Sequence, residues 1–130
     1  MKEDSLNDFQ RSDSTLGESV RLVFNEMPWS PSFDYLIEAV IKWGDDKGLM
    51  KEENASRQML KVMEEVGELA GALAKKRDGD IIDALGDSFV TLIILCGQLG
   101  LRPAETLEAA YNEIKNRTGK TENGVFIKNS

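Results

Sequence analysis

Residues 81–95 read Ile-Ile-Asp-Ala-Leu-Gly-Asp-Ser-Phe-Val-Thr-Leu-Ile-Ile-Leu. Wound as a helix at about 100° per residue, the apolar side chains of this stretch go nearly all the way round. A helix apolar on every side is expected to be surrounded, so the chain must pack other helices about it. Yet Asp83 and Asp87 lie in it at i, i+4, on one stripe with Thr91, and Asp80 lies close to that stripe. An unpaired buried carboxylate costs several kcal/mol, so these acids must be paired, protonated or bound to a cation.

The rest of the chain supplies the packing partners. Its 130 residues suit one domain. Residues 1–31 read as a polar N-terminal arm, disordered over its first half, with a weak amphipathic pattern from Leu16 to Met27. Residues 32–130 read as the folded domain. A first helix is expected from about Ser32 to Lys47, with Ser32 as N-cap and Leu36, Ala39, Val40 and Trp43 as its apolar face. A second is expected from about Asn54 to Arg77, with Asp78-Gly79 as a turn. The apolar helix follows from about Asp80 to Gln98, stopped at Gly100, and Pro103 opens a fourth that fades near Arg117. The tail from Asn123 to Ile127 reads as a turn and a short extended piece. The expected fold is all-α, an antiparallel four-helix-bundle-like core.

Charge narrows the chemistry. A net charge of −7 argues against a nucleic-acid binder, which needs a basic footprint. With no histidine, His-based triads, general bases and metal ligands are excluded. Cys96 is the sole cysteine, set in an apolar run, and reads as an inert thiol in a reducing cytoplasm. No apolar leader is visible, and the longest uncharged stretch, Ser88 to Leu101, is shorter than the ~20 residues of a membrane helix. No membrane partner is expected.

The second helix brings a further acid stripe. Glu64, Glu65 and Glu68 fall within one arc of about 100°, together with Lys61 and Lys75, while Val62, Met63, Val66, Leu69, Ala70, Leu73 and Ala74 fill the opposite half. Acids on a polar helix face are ordinarily just solvated. Here, however, antiparallel neighbours would bring this stripe against Asp83 and Asp87. Ion pairs to Lys61 or Lys75 are one resolution, but five carboxylates outnumber those lysines. A hard cation is the other. Ligands that are all carboxylate oxygens select magnesium or manganese over zinc or copper.

Glu64-Glu65-Val66-Gly67-Glu68-Leu69, followed by Ala84-Leu85-Gly86-Asp87, resembles the MazG-like nucleotide pyrophosphohydrolases, whose hallmark is ExxE, a spacer and ExxD on consecutive helices. Trp43-Gly44-Asp45-Asp46-Lys47-Gly48-Leu49 looks like the end of the family's first helix, Gln58 and Lys61 lead into the acid pair, and Asn112-Glu113-Ile114-Lys115 with Arg117 and Lys120 looks like its basic C-terminal segment. One departure stands out: the glutamate of ExxD falls on Ala84, and the acid comes one position earlier, at Asp83.

The resemblance implies a Mg²⁺-dependent enzyme, Mn²⁺ serving as a substitute, that cleaves a nucleoside triphosphate or its deoxy form to a monophosphate and pyrophosphate, a nucleotide-pool house-cleaning activity. It implies Glu65, Glu68, Asp83 and Asp87 as metal ligands and Glu64 or Glu65 as the group that orients water. It makes Lys61, Lys115, Arg117 and Lys120 candidates for phosphate oxygens, and Trp43 a candidate for stacking on the base, against its reading as a core residue. It also implies a homodimer or homotetramer in which subunits complete one another's bundles, with which Gly67 and Gly71 agree. Two rivals remain: a non-enzymatic helical oligomer with salt-bridged acids, and an enzyme like the phosphoribosyl-ATP pyrophosphohydrolase.

Overall fold

The computed structural model describes residues 30–130. The N-terminal arm up to residue 29, including the pattern from Leu16 to Met27, lies outside the described residues. Four helices follow in order: α1 (Phe33–Asp46), α2 (Ala55–Lys75), α3 (Asp78–Gln98) and α4 (Pro103–Ile114). A single 3₁₀ turn, Glu52–Asn54, leads into α2. A two-stranded antiparallel hairpin, β1 (Gly119–Glu122) and β2 (Val125–Lys128), ends the chain.

Helix ends follow local chemistry. Ser32 caps α1, its Oγ accepting a hydrogen bond from the Tyr35 amide at 3.1 Å. Pro103 occupies the first turn of α4, where its missing N–H costs nothing. At the end of α2, Lys76 turns left-handed at φ 55°, and the Arg77 amide closes back on the Ala72 carbonyl at 3.1 Å. The expected turn at Asp78-Gly79 is therefore two residues too late. Lys76 and Arg77 make the whole link, and Asp78 and Gly79 are buried in the first turn of α3.

The α2–α3 pair is the closest-packed part of the fold. On α2 the covered positions are Ala55, Gln58, Val62, Glu65, Leu69 and Ala72, alternating by three and four residues. On α3 the same alternation runs through the covered Ile81, Ala84, Ser88, Thr91, Leu95 and Gln98, while Asp78, Gly79, Ile93 and Ile94 are buried outside it. This is the narrow seam of two antiparallel helices. Gln58 pins its register by donating from Nε2 to the Thr91 carbonyl at 3.0 Å. The hydroxyls of Ser88 and Thr91 turn back onto the Ala84 and Ser88 carbonyls, so neither is left unsatisfied in the seam.

α1 crosses the far end of α3. There Met50 wedges between Gly44 and Gly97: a Cβ added at Gly44 would lie 2.7 Å from Met50 Cε, and one at Gly97 2.6 Å from Met50 Sδ. Gln98 ties down the same loop by donating to the Leu49 carbonyl at 3.0 Å.

Two expectations need correction. α3 is not surrounded: Leu85, Phe89 and Leu92 stand exposed on the side away from the aspartates, because only α1 and α2 pack closely on it. α4 does not close a four-helix bundle within one chain. It leaves α3 at 101°, and none of its residues is buried. In the tail, the extended piece is the second strand of a hairpin. Asn123 and Gly124 both adopt positive φ, at 50° and 77°, as a two-residue hairpin turn requires. No single helix among the described residues is long and apolar enough to cross a membrane.

Truncating the Met50 wedge leaves space that two glycines cannot refill. Met50→Ala is expected to cost about 2 kcal/mol of stability, read as a lowered urea midpoint at unchanged slope.

Candidate active site

α2 and α3 bring the two acid stripes together as antiparallel neighbours do. One side of their seam opens into a cavity of about 430 Å³, lined by Glu68, Asp80, Asp83, Asp87, Lys75 and Arg77, with Gly71, Ala72 and Ala84 between them. Three of the four residues expected to bind metal thus share one cavity. The fourth, Glu65, lies in the seam itself, half-buried, within electrostatic reach of Glu68 and Asp87.

The strained acid is Glu65, and not the α3 pair. Asp83 and Asp87 are exposed, since nothing packs over that face of α3, so the expected burial of these two carboxylates is not found. Glu65 Oε2, by contrast, is buried with no hydrogen-bond partner. Burial, and after it the charges of Glu68 and Asp87, hold the Glu65 carboxyl above the ordinary carboxylate value. The buried acid of α3 is Asp78, in its first turn, where a carboxylate complements the helix dipole.

The lysines divide the acids further. Lys61 donates to Glu64 at 3.1 Å, and this bond, more than Glu65 and Glu68 beyond it, raises the lysine pKa. Arg77 stands 3.8 Å from Asp80. Glu65, Glu68, Asp83 and Asp87 have no ion-pair partner among the described residues. The chemistry of the donor set would suit a hard cation: every donor is a carboxylate oxygen, and the orphaned Glu65 oxygen would gain a partner. No three acids among the described residues converge on one point as their side chains stand, so the exposed Glu68, Asp83 and Asp87 would have to swing inward.

The family's sequence pattern matches residues 53–126 as a MazG nucleotide pyrophosphohydrolase domain, more than half of the chain. The chain belongs to this family. The MazG match takes in both acid stripes and the hairpin turn, and leaves α1 with Trp43 outside. A second similarity is to an uncharacterized 18.2 kDa protein of the rep-hol intergenic region of Haemophilus phage HP1, 38% identical over 63 residues. That match covers 48% of this chain and 39% of the phage protein. No solved structure matches the chain.

Other sequence candidates fall elsewhere. Trp43 is half-exposed beside Leu36, Ala39, Val40 and Val90, so within one chain it is not a core residue, nor does it line the acid cavity. Lys115 caps α4 and Arg117 follows it, while Lys120 pairs with Glu122 at 2.7 Å along the exposed strand β1. None of the three lines the cavity. Lys75 and Arg77 do. Lys75 shares the arc of Glu64 and Glu68, the signal by which it can be found in the sequence, whereas Arg77 lies in the link, where periodicity assigns no face.

The ionised form of Glu65 is penalised in the fold. Below the ordinary carboxylate value of 4.5 the penalty is absent, and it grows as pH rises through the raised native value. Without metal, Glu65→Gln is therefore expected to melt a few degrees above the unaltered protein at pH 7. Calorimetry across pH should show the gap closing as pH falls toward 4.5.

Proposed function

We propose that the chain is a Mg²⁺-dependent nucleoside-triphosphate pyrophosphohydrolase, releasing a nucleoside monophosphate and pyrophosphate from ribo- or deoxyribonucleotides. The observation that carries this is the buried, partnerless Glu65 oxygen set against Glu68 and Asp87, in a seam where an aliphatic side chain would pack at no electrostatic cost. Membership in the MazG family supports the reaction class. It also favours a simple nucleotide over phosphoribosyl-ATP as substrate.

In this reading Glu65, Glu68, Asp83 and Asp87 hold the cation. Bound magnesium supplies charge neutralisation and Lewis acidity at the phosphate oxygens. The residues of the chain position everything else. Glu64, one turn before Glu68 and steadied by Lys61, receives the proton of the attacking water. Water oxygen bonds to phosphorus at the α–β bridge, the anhydride bond breaks, and its electron pair leaves with pyrophosphate. Catalysis of this kind rests on positioning and electrostatics. The alternative of a non-enzymatic helical module requires its acids to be salt-bridged, and only Glu64 and Asp80 among the cavity-side acids are paired among the described residues.

The active unit is a homodimer or a homotetramer in this proposal. Met59, Met63, Val66 and Leu73 of α2 form an exposed apolar stripe, and Leu85, Phe89 and Leu92 of α3 lie on the same side of the seam. Met63 is 62% exposed, a costly state for so apolar a surface if it stayed wet. Burying this face against a second copy would also supply the core that a single small chain lacks.

With Mg²⁺, purified protein is expected to release pyrophosphate and matching monophosphate from at least one common NTP or dNTP, and EDTA to abolish the release. Orthophosphate alone, or no turnover on any of them, would overturn the reading. Glu65→Ala and Asp87→Ala are each expected to lower turnover at least about 100-fold while staying folded. Light scattering should report a dimer or tetramer, and Met63→Glu should shift it toward monomer.

A further inference from the structure

Two cations with donor capacity to spare stand at one end of the acid cavity. Lys75 has no ion-pair partner among the described residues, and the 3.8 Å from Arg77 to Asp80 is too long for a good hydrogen bond. Lys61, at the other end of the stripe, is already committed to Glu64 at 3.1 Å. Along α2 the order is Glu64, Glu68, Gly71, Lys75. Along the antiparallel α3, read backwards, it is Asp87, Asp83, Asp80, and then Arg77 in the link. The cavity is therefore graded from acidic to cationic over about 10 Å, the rise of the seven residues from Glu68 to Lys75. Its floor is kept low by Ala72, Ala84 and Gly71, where even an added Cβ would meet nothing within 4 Å.

A cavity with carboxylates at one end and, at the other, Lys75 without an ion-pair partner among the described residues beside an Arg77 only loosely paired with Asp80 fits a cation-bound polyphosphate whose far end carries charge that the cation does not neutralise. We propose that Lys75 and Arg77 hold the terminal phosphates of the substrate and then the departing pyrophosphate. The chain of phosphates then lies along the α2–α3 hairpin, and the nucleoside points toward the Glu64 end. The assignment rests on the pyrophosphohydrolase reading and adds an orientation and two binding residues to it. The guanidinium can take two phosphate oxygens at once, and the ammonium a third, as charge-assisted donors.

Binding of magnesium pyrophosphate, measured by calorimetry alongside NTP turnover, tests this. Lys75→Met and Arg77→Met are each expected to weaken pyrophosphate binding about tenfold and to raise the KM for nucleotide by a similar factor, with a smaller change in kcat. Lys75→Arg should restore binding to within about threefold, which a merely structural role for Lys75 would not do. Lys42→Met, on an exposed pair with Asp46, serves as the control and should bind normally. Melting temperatures identify any variant that fails to fold, and Lys75, exposed in the last turn of α2, is the safer site of the two. Unchanged pyrophosphate affinity in folded Lys75→Met and Arg77→Met would overturn the assignment, as would absence of pyrophosphate binding by the unaltered protein. Lys75-dependent pyrophosphate binding without turnover of any nucleotide would uphold the assignment and sink the hydrolase reading instead.

Discussion

Packing α2 against α3 puts Glu65 where the three-and-four spacing of the seam otherwise places Val62, Leu69 and Ala72. A helix pair of this kind gains stability from apolar contact along its seam, and a carboxylate there forfeits contact and adds a desolvation cost. The neighbouring charges of Glu68 and Asp87 add to that cost. Most of the rest of the seam is satisfied: Gln58 reaches the Thr91 carbonyl, and Ser88 and Thr91 bond within their own helix, while Gln98, which donates to the Leu49 carbonyl, keeps a buried Oε1 without a partner. Small residues at Ala72 and Ala84 let the helices approach closely beside the carboxylate. The carboxylate that costs the seam stability thus stands beside the acid cavity, within electrostatic reach of Glu68 and Asp87 on its lining.

Much of this was legible in the sequence, for identifiable reasons. Ser32, Gly48, Gly100 and Pro103 bound their helices by strong local chemistry, and α2 and α3 lie within about two residues of where periodicity put them. The two acid stripes were legible as stripes, and antiparallel neighbours necessarily bring them together. Which acid is buried was not. Periodicity assigns each residue to a face, but only packing decides which face a neighbour covers. α3 presses on the border between the acidic and apolar arcs of α2, so Glu65 goes inside and Met63 stays out. The strand Gly119–Glu122 was missed because Gly-Lys-Thr-Glu carries almost no strand signal of its own and is held by pairing with Val125–Lys128. The ring of apolar residues on α3 foretold burial that one chain provides only in part.

That partial burial links several features that look separate in the sequence. The exposed stripe of α2, the exposed side of α3 and the outward stripe of α4, with Leu107 and Tyr111, are all apolar at helical spacing. Phe33 reaches Phe89 edge-to-face at 5.9 Å, so α1 too approaches this side of the molecule. The acids occupy the opposite side of the α2–α3 seam. One face of the α2–α3 hairpin is thus apolar and the other charged.

The link between α2 and α3 consists of Lys76 and Arg77 alone, with Lys76 in the left-handed region. So short a connection leaves neither helix room to slide along the other. The two walls of the cavity are consequently cut from a single rigid hairpin, and the separation of its charges is fixed by helical rise, as the marks on a ruler are. A ligand whose charges are spaced to match would meet a surface already set to its length, while shorter or longer ones would fall between the marks. The spacing of the two walls would thus be set by one tight two-residue turn, with only the side chains along them left to adjust.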